Sequence, residues 1–190
     1  FSFAPTPAHE RIATLVGAKT IRVNRRRDLG IELIASLFQV SNAYPSVSTF
    51  TFIATLLAEL IGYSSITFSN ERSADFGNLN YLGLPVNHQW CKSSEAEKMT
   101  NEYIQRFITP DISTGSLLRK YSELEIVQRF VRYPKYLHHV TSCNNYFWLP
   151  RLVQILSRKS YWCKRCPKCV FLFACFTAFL PKKEVLDIFG

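Results

Sequence analysis

The chain has 190 residues, with 23 Lys+Arg against 14 Asp+Glu and hence a formal net charge of +9. Apolar residues at 47% and charged residues at 19% match ordinary globular usage and exclude global disorder or a fibrous repeat. No membrane span is expected, because the longest strongly apolar stretch, Val170–Leu180, is about half of the roughly 20 residues that a spanning helix needs.

Taken in chain order, Ala8–Val16 reads as a short helix and Thr20–Val23 as a short β-type run. Asp28–Val40 places Leu29, Ile31, Leu33, Ile34, Leu37 and Phe38 at helical spacing. Ser46–Ile61 is a further helix, with Pro45 at its start and Gly62 past its end. Ser64–Phe68 predicts a short buried strand that runs into the polar loop Ser69–Ser73. A helix, a strand and a polar loop at the strand's carboxyl end form the unit of an open α/β sheet, where ligands bind at strand ends. Phe76–Val86, with Gly77, Gly83 and Pro85, reads as loop. Trp90–Phe107 predicts a helix with Met99, Tyr103, Ile104 and Phe107 on one stripe, and Ser122–Val131 another, with Ser122 and Glu125 placed for a capping box. Cys166–Leu180 reads as a buried helix stopped by Pro181, and Lys183–Phe189 as a last short one.

The positive charge is clustered. Lys19, Arg22, Arg25, Arg26 and Arg27 lie close together, and Arg132–Lys168 holds eight Lys/Arg and no Asp or Glu. Such tracts suit an anionic partner, although a solvated basic face gives the same pattern. Three of the six cysteines are packed as C-x2-C-x2-C (Cys163, Cys166, Cys169), and 19 residues separate Cys143 from Cys163. Each two-residue gap lets a pair of sulfurs face one ion, so the spacing suits a tetrahedral zinc or an iron–sulfur cluster. Reduced thiols without metal are the alternative; a disulfide scaffold is disfavoured in an apolar chain of this length. Cys175, inside an apolar run, reads as packing.

Three polar clusters could carry chemistry. Glu71, Arg72, Ser73 and Asn78 share one loop region after the predicted strand. Asn87, His88, Gln89, Cys91, Lys92, Ser93 and Glu95 stand where the chain enters a helix, a place that favours phosphate or carboxylate. There Lys92 supplies a point charge, His88 a group for proton transfer near neutral pH, and Cys91 a thiolate base. A lone His is more often structural and a lone Cys more often packing. Arg119 with Glu123 forms the third cluster, for which an ordinary surface ion pair is the bland alternative.

In order along the chain, Ser69–Ala74, Gly83, Val86–Trp90, Lys92-Ser93, Glu95, Ser116–Arg119, Ser122–Leu124, Ser142–Asn144, Trp162-Cys163, Cys166–Cys169, Phe171, Phe173 and Ile188–Gly190 resemble the C-terminal half of the UDP-N-acetyl-α-D-muramoyl-L-alanyl-L-glutamate epimerase family. A more distant likeness is to the PP-loop ATP pyrophosphatases. Cys91 departs from the family's usual Ser, and Asn42-Ala43-Tyr44-Pro45 is a loose form of its Asn-Gly-His-x-Pro stretch.

The resemblance implies an α/β fold: part of a Rossmann-like adenine-nucleotide α-hydrolase sheet with helices on both faces, plus a helical C-terminal segment with four metal-binding cysteines. The implied division is 1–140 for the nucleotide-binding part and 141–190 for the Cys-rich part. The implied activity is cytoplasmic, in peptidoglycan precursor synthesis: the terminal L-Glu of UDP-MurNAc-L-Ala-L-Glu becomes D-Glu while ATP gives AMP and pyrophosphate. ATP, Mg2+ and a structural zinc are the expected cofactors, and the sugar-nucleotide peptide rather than nucleic acid the expected partner. His88, Glu71, Arg72, Lys92 and Cys91 are the expected catalytic residues, with His88 moving the proton. Glu71 or Glu95 would position Mg2+, and Arg72, Lys92 and Arg119 would steady phosphate charge. Asn70, Ser73, Asn78, Asn87, Gln89, Ser93 and Glu123 complete the expected binding set. The PP-loop signature is absent from these residues, so the expectation is a piece of a longer protein whose upstream part carries it, with weak ATP hydrolysis from this piece alone. A PP-loop ligase or nucleobase-modifying enzyme, or a non-catalytic zinc-stabilised fragment, are the competing readings.

Overall fold

The computed structural model describes residues 6–23, 30, 33–34, 37, 46–156 and 161–190. They belong to two units, one of Arg27–Glu123 and one of Phe1–Arg26 with Leu124–Gly190. The helix expected over Asp28–Val40 lies outside the described residues apart from Gly30, Leu33, Ile34 and Leu37, all helical, and the Asn42–Pro45 stretch lies wholly outside them.

Helix α1 (Pro7–Val16) starts from Thr6 with Pro7 in its first turn, and ends at Gly17, whose φ of 67° suits the left-handed cap. Its cap is a box in which His9 replaces the usual Glu: the His9 amide donates to Thr6 Oγ1 at 3.4 Å, and Thr6 N donates to His9 Nδ1 at 3.3 Å. Burial, with the ring stacked on Phe147 at 5.8 Å, holds His9 below its ordinary value of 6.5. A depressed imidazole favours the folded state above 6.5, and that contribution is lost as pH falls through the folded value. Protonation also turns Nδ1 from acceptor to donor and opposes the Thr6 amide. Melts taken from about pH 7.5 down to about pH 5 should therefore show a falling midpoint. His9→Gln, which keeps the box, should flatten that fall; an identical slope in both proteins would contradict the assignment. The β-type run Thr20–Val23 forms no strand; Arg22 instead pairs with Glu10 at 2.9 Å on the surface.

In the Arg27–Glu123 unit, α2 (Ser46–Ile61) matches the sequence expectation and turns at Gly62, φ 82°. Its buried Thr51 and Thr55 hydroxyls each donate to the carbonyl four residues back at 2.9 Å, which removes the penalty of burying them. Strand β1 (Ser65–Phe68) alternates exposed and half-buried residues, so it is less buried than expected. Leu79–Tyr81 (β2) and Leu84–Val86 (β3) form an antiparallel hairpin where the sequence suggested loop. Its two-residue turn has Leu82 at φ 51° and Gly83 at φ 80°, the backbone that matches strand twist.

The predicted helix from Trp90 is split. Trp90–Lys92 is a 3-10 turn, and α3 (Ser94–Phe107) begins only after Ser93, whose buried Oγ accepts from Ala96 N at 3.2 Å. Ser93→Ala should lower stability by about 1 kcal/mol in denaturant titrations. A loss near zero would show that the cap is dispensable. Strand β4 (Ser113–Ser116) then pairs in parallel with β1, Ser65 opposite Ser113 through Phe68 opposite Ser116. Helix α2 packs on β1 and α3 packs on β4. A β-α-β connection of this kind is the α/β unit expected, and among the described residues its parallel ladder has two strands.

The other unit adds α4 (Glu123–Phe130), α5 (Pro134–Leu137), α6 (Asn144–Trp148), α7 (Arg151–Leu156), α8 (Pro167–Thr177) and α9 (Lys182–Phe189). Helix α8 ends three residues earlier than expected and is not buried all round: Cys169, Cys175 and Phe176 are inside while Val170 and Phe171 face solvent. Phe189 closes the core, stacked on Trp162 at 4.4 Å and edge-on to Phe173 at 5.3 Å. No described helix is long and apolar enough to cross a membrane.

Candidate functional site

The carboxyl ends of β1 and β4 lie side by side, so the loops that leave them, Ser69–Ser73 and Leu117–Tyr121, are neighbours. Asn70 Nδ2 donates to Ser116 Oγ at 3.2 Å, and Arg72 N donates to the Tyr121 carbonyl at 2.9 Å. Ser73 Oγ, in the 3-10 turn Arg72–Asp75, lies 2.7 Å from Glu123 Oε1 and 3.3 Å from Glu71 Oε1. One hydroxyl proton serves one of these carboxylates at a time, which leaves acceptor capacity on two acids facing the same point.

Arg119 ties this edge together. Its Nη1 donates to the Glu71 carbonyl at 3.2 Å, and its Nη2 to the Lys92 carbonyl at 2.8 Å and to Glu97 Oε2 at 3.1 Å. Asp75 lies 3.6 Å from Nη1. The planar fork thus joins the Glu71 loop, the Trp90–Lys92 turn and α3 in a way that a flexible ammonium could not. Expected as a phosphate contact, Arg119 is placed as an internal tie, its terminal N–H groups engaged by protein. Glu97, which sequence reasoning missed, is the tie's other half: it also accepts from Ser116 N at 3.1 Å and from Ser116 Oγ. Its partners lie 19 and 22 residues further along the chain, beyond any local spacing rule.

The Asn87–Glu95 stretch is brought against this edge. Asn87 Nδ2 donates to the Ala74 carbonyl at 2.7 Å while its Oδ1 accepts from Gln89 N at 2.8 Å. Lys92 Nζ donates to Gln89 Oε1 at 3.1 Å, and Ser94 N donates to Asp75 Oδ1 at 2.6 Å. Asn78 Oδ1 accepts the His88 backbone N–H at 3.3 Å and lies 2.6 Å from His88 Nδ1. An oxygen that already accepts an amide proton requires a proton on the ring nitrogen facing it. In the neutral ring this contact places the hydrogen on Nδ1 and leaves the lone pair on Nε2. Glu95 Oε2 accepts from Trp90 Nε1 at 2.7 Å, which ties Glu95 to the turn. Cys91 is half-buried and lines a small cavity with Phe68, Asn70, Glu97 and Thr114, beneath the strand ends. Arg72 is exposed and Ser93 serves as a helix cap.

In the other unit, Cys143, Cys163, Cys166 and Cys169 converge: all four Sγ atoms lie within 4.8 Å of one another. Local folding explains it. Lys164 takes φ 62°, which turns the chain between Cys163 and Cys166, and Cys166 and Cys169 then share the first turn of α8. In the thiol form burial works to raise Cys166, but hydrogen bonds from Cys169 and its neighbours outweigh it and bring the group down to about 6. Burial and the Cys166 thiol push Cys169 up to about 12.

Comparison with known proteins agrees with the resemblance to the epimerase family. The MurL N-terminal domain matches residues 1–117 and the MurL C-terminal domain matches residues 139–190. The chain is 32% identical over 195 residues to the UDP-N-acetyl-alpha-D-muramoyl-L-alanyl-L-glutamate epimerase of Xanthomonas oryzae pv. oryzae, covering 95% of this chain and 42% of that protein. It is 31% identical over 190 residues to the protein of the same name from Salinispora tropica, covering 100% of this chain and 40% of that one. The chain therefore spans about two fifths of the length of the curated relatives it matches. No solved structure matches it. Two successive domain matches that together cover most of its length place this chain in the MurL family.

Proposed function

We propose that this chain is part of an ATP-dependent epimerase that inverts the terminal glutamate of UDP-MurNAc-L-Ala-L-Glu, in the cytoplasm, for peptidoglycan synthesis. The observation that carries the reading is the Arg119–Glu97 tie, which holds the Glu71 loop and the Trp90–Lys92 turn at the carboxyl end of the parallel β1–β4 pair. Strand ends of this kind are where α/β sheets bind ligands, and the curated relatives are named for this epimerisation. The finer fold of the proposal is a Rossmann-like nucleotide-binding sheet with helices on both faces.

The chemistry asks for activation because a carbanion beside a carboxylate places two negative charges on adjacent carbons. ATP, when bound, would convert the carboxylate to an acyl adenylate and release pyrophosphate. Loss of the carboxylate charge makes the α-proton removable. His88 Nε2 is the acceptor for that proton, with Asn78 holding Nδ1–H. Return of a proton to the opposite face and hydrolysis of the adenylate then give the D-Glu product and AMP. Glu71 and Glu123, hard oxygen donors that meet at Ser73, fit Mg2+, and Glu95 is the alternative acid. Lys92 and Arg72 would face phosphate, while Asn70, Asn87 and Gln89 keep the loops in place.

The test uses a protein of the full length of the relatives, with UDP-MurNAc-L-Ala-L-Glu, ATP and Mg2+. D-Glu at the terminal position with AMP released is the expected result. ATP turnover with the L configuration retained would overturn the proposal.

A further inference from the structure

The four-cysteine cluster lies wholly within one unit, and the strand-end loops belong to the other. Four sulfurs about 2.3 Å from one tetrahedral ion sit about 3.8 Å apart along each edge. The structure has Cys163–Cys169 at 3.9 Å, Cys143–Cys166 at 3.9 Å and Cys166–Cys169 at 3.5 Å. These separations are too long for disulfides, which need about 2.05 Å, and all four residues are free thiols. A four-iron cluster places each thiolate on a different iron and spreads the sulfurs more widely than one ion does.

The surroundings are those of thiolates rather than thiols. Cys143 Sγ accepts from Tyr146 N at 3.3 Å and from Cys163 N at 3.3 Å. Cys163 Sγ accepts from Cys166 N at 3.3 Å and from Asn145 Nδ2 at 3.4 Å. Backbone donors of this kind fix ligand orientation around a metal. Cys143, Cys166 and Cys169 are buried and Cys163 is half-buried. Four protein ligands fill a tetrahedral shell and leave no open position, the arrangement of a structural rather than a catalytic ion. Four thiolates around a dication carry a formal charge of about −2, and Lys164 and Arg165 in the loop, with Lys168 in the first turn of α8, supply the opposite sign.

We propose that Cys143, Cys163, Cys166 and Cys169 hold one structural zinc ion that fastens the segment before α6 to the first turn of α8. The metal replaces the cross-links that a cluster of short helices otherwise lacks: α5, α6 and α7 have 4, 5 and 6 residues, too few to be stable by themselves.

The chain, purified in the reduced state without chelator, should contain one zinc per molecule by elemental analysis. Replacement by cobalt should give the intense sulfur-to-metal charge-transfer and red d–d bands of a tetrahedral four-thiolate site. Cys166→Ser should lower bound zinc by about tenfold or more, whereas Cys91→Ser, outside the cluster, should leave it unchanged. If Cys166→Ser fails to fold, alkylation of the wild-type chain serves instead: the four cluster thiols should be protected until a chelator is added. Absence of metal with no cobalt spectrum would overturn the proposal, as would inorganic sulfide with the brown absorbance of an iron–sulfur cluster.

Discussion

Arg119→Ala is expected to lower the unfolding free energy by about 1.5–3 kcal/mol, the worth of hydrogen bonds to a charged group, here in a half-buried tie. The side chains of Arg119 and Glu97 are each only 18% exposed. Removing the guanidinium leaves the Glu97 carboxylate in a poorly solvated place with only Ser116 as partner. It also frees the carbonyls of Glu71 and Lys92, which lie on two different loops. Arg119→Lys should recover only part of the loss, since one ammonium cannot reach two carbonyls and two carboxylates in one plane. Glu97→Gln should cost less than Arg119→Ala, because an amide oxygen can still accept from Ser116 N and Arg119. Urea titrations of the three variants would check the order. Arg119→Ala within about 1 kcal/mol of the parent would mean that the tie is an ordinary surface pair.

The parts of this fold that were legible in the sequence are those set by local pattern. Ser46–Ile61 has an apolar face and a terminating glycine, and it forms the helix so marked. The cysteine spacing states its own geometry, since a two-residue gap and a turn at Lys164 bring sulfurs together whatever surrounds them. Elements defined by partners distant in sequence were not legible. Ser113-Thr114-Gly115-Ser116 has no apolar alternation, and it is a strand because β1 offers a parallel edge to it. Its amides are further held by side chains of α3: Thr114 N donates to Asn101 Oδ1 at 2.7 Å and Ser116 N to Glu97. The hairpin was hidden because Leu82, an unusual residue at φ 51°, stands where Asn or Asp would have signalled the turn.

The site divides the same way. Glu71, Ser73, Asn78, His88 and Lys92 stood out because polar residues gathered where a strand ended or a helix began; the structure joins Ser73 to Glu71, His88 to Asn78, and the Lys92 carbonyl to Arg119. Arg119 was visible as a residue but not in its role, which depends on four partners spread from Glu71 to Glu97. Glu97 was invisible because a glutamate in a helix's first turn reads as an ordinary solvated partner of the helix dipole. The lesson is physical: spacing reveals groups that share a turn, whereas a side chain that joins three loops is defined only by the tertiary contact.

If the proposed epimerisation holds, His88→Gln in a protein of the relatives' full length is expected to reduce kcat by about 10²–10⁴, the usual contribution of a positioned acid–base group, with a much smaller change in KM. The ring's form sets this expectation. Asn78 Oδ1 takes both the His88 amide and the ring Nδ1–H, so Nε2 is the only ring atom left to receive a proton. Histidine in water prefers the opposite tautomer, so nitrogen chemical shifts of His88 should report the Nδ1–H form in this chain. With His9, His138 and His139 as the only other imidazoles, assignment by substitution is direct. Asn78→Leu should let the ring return to the common tautomer and lower kcat, while Asn78→Asp, which keeps an acceptor at Nδ1, should retain the tautomer. Normal turnover in His88→Gln would remove His88 from the reaction. Loss of turnover in Asn78→Leu with the shifts unchanged would show that Asn78 acts by some route other than the ring.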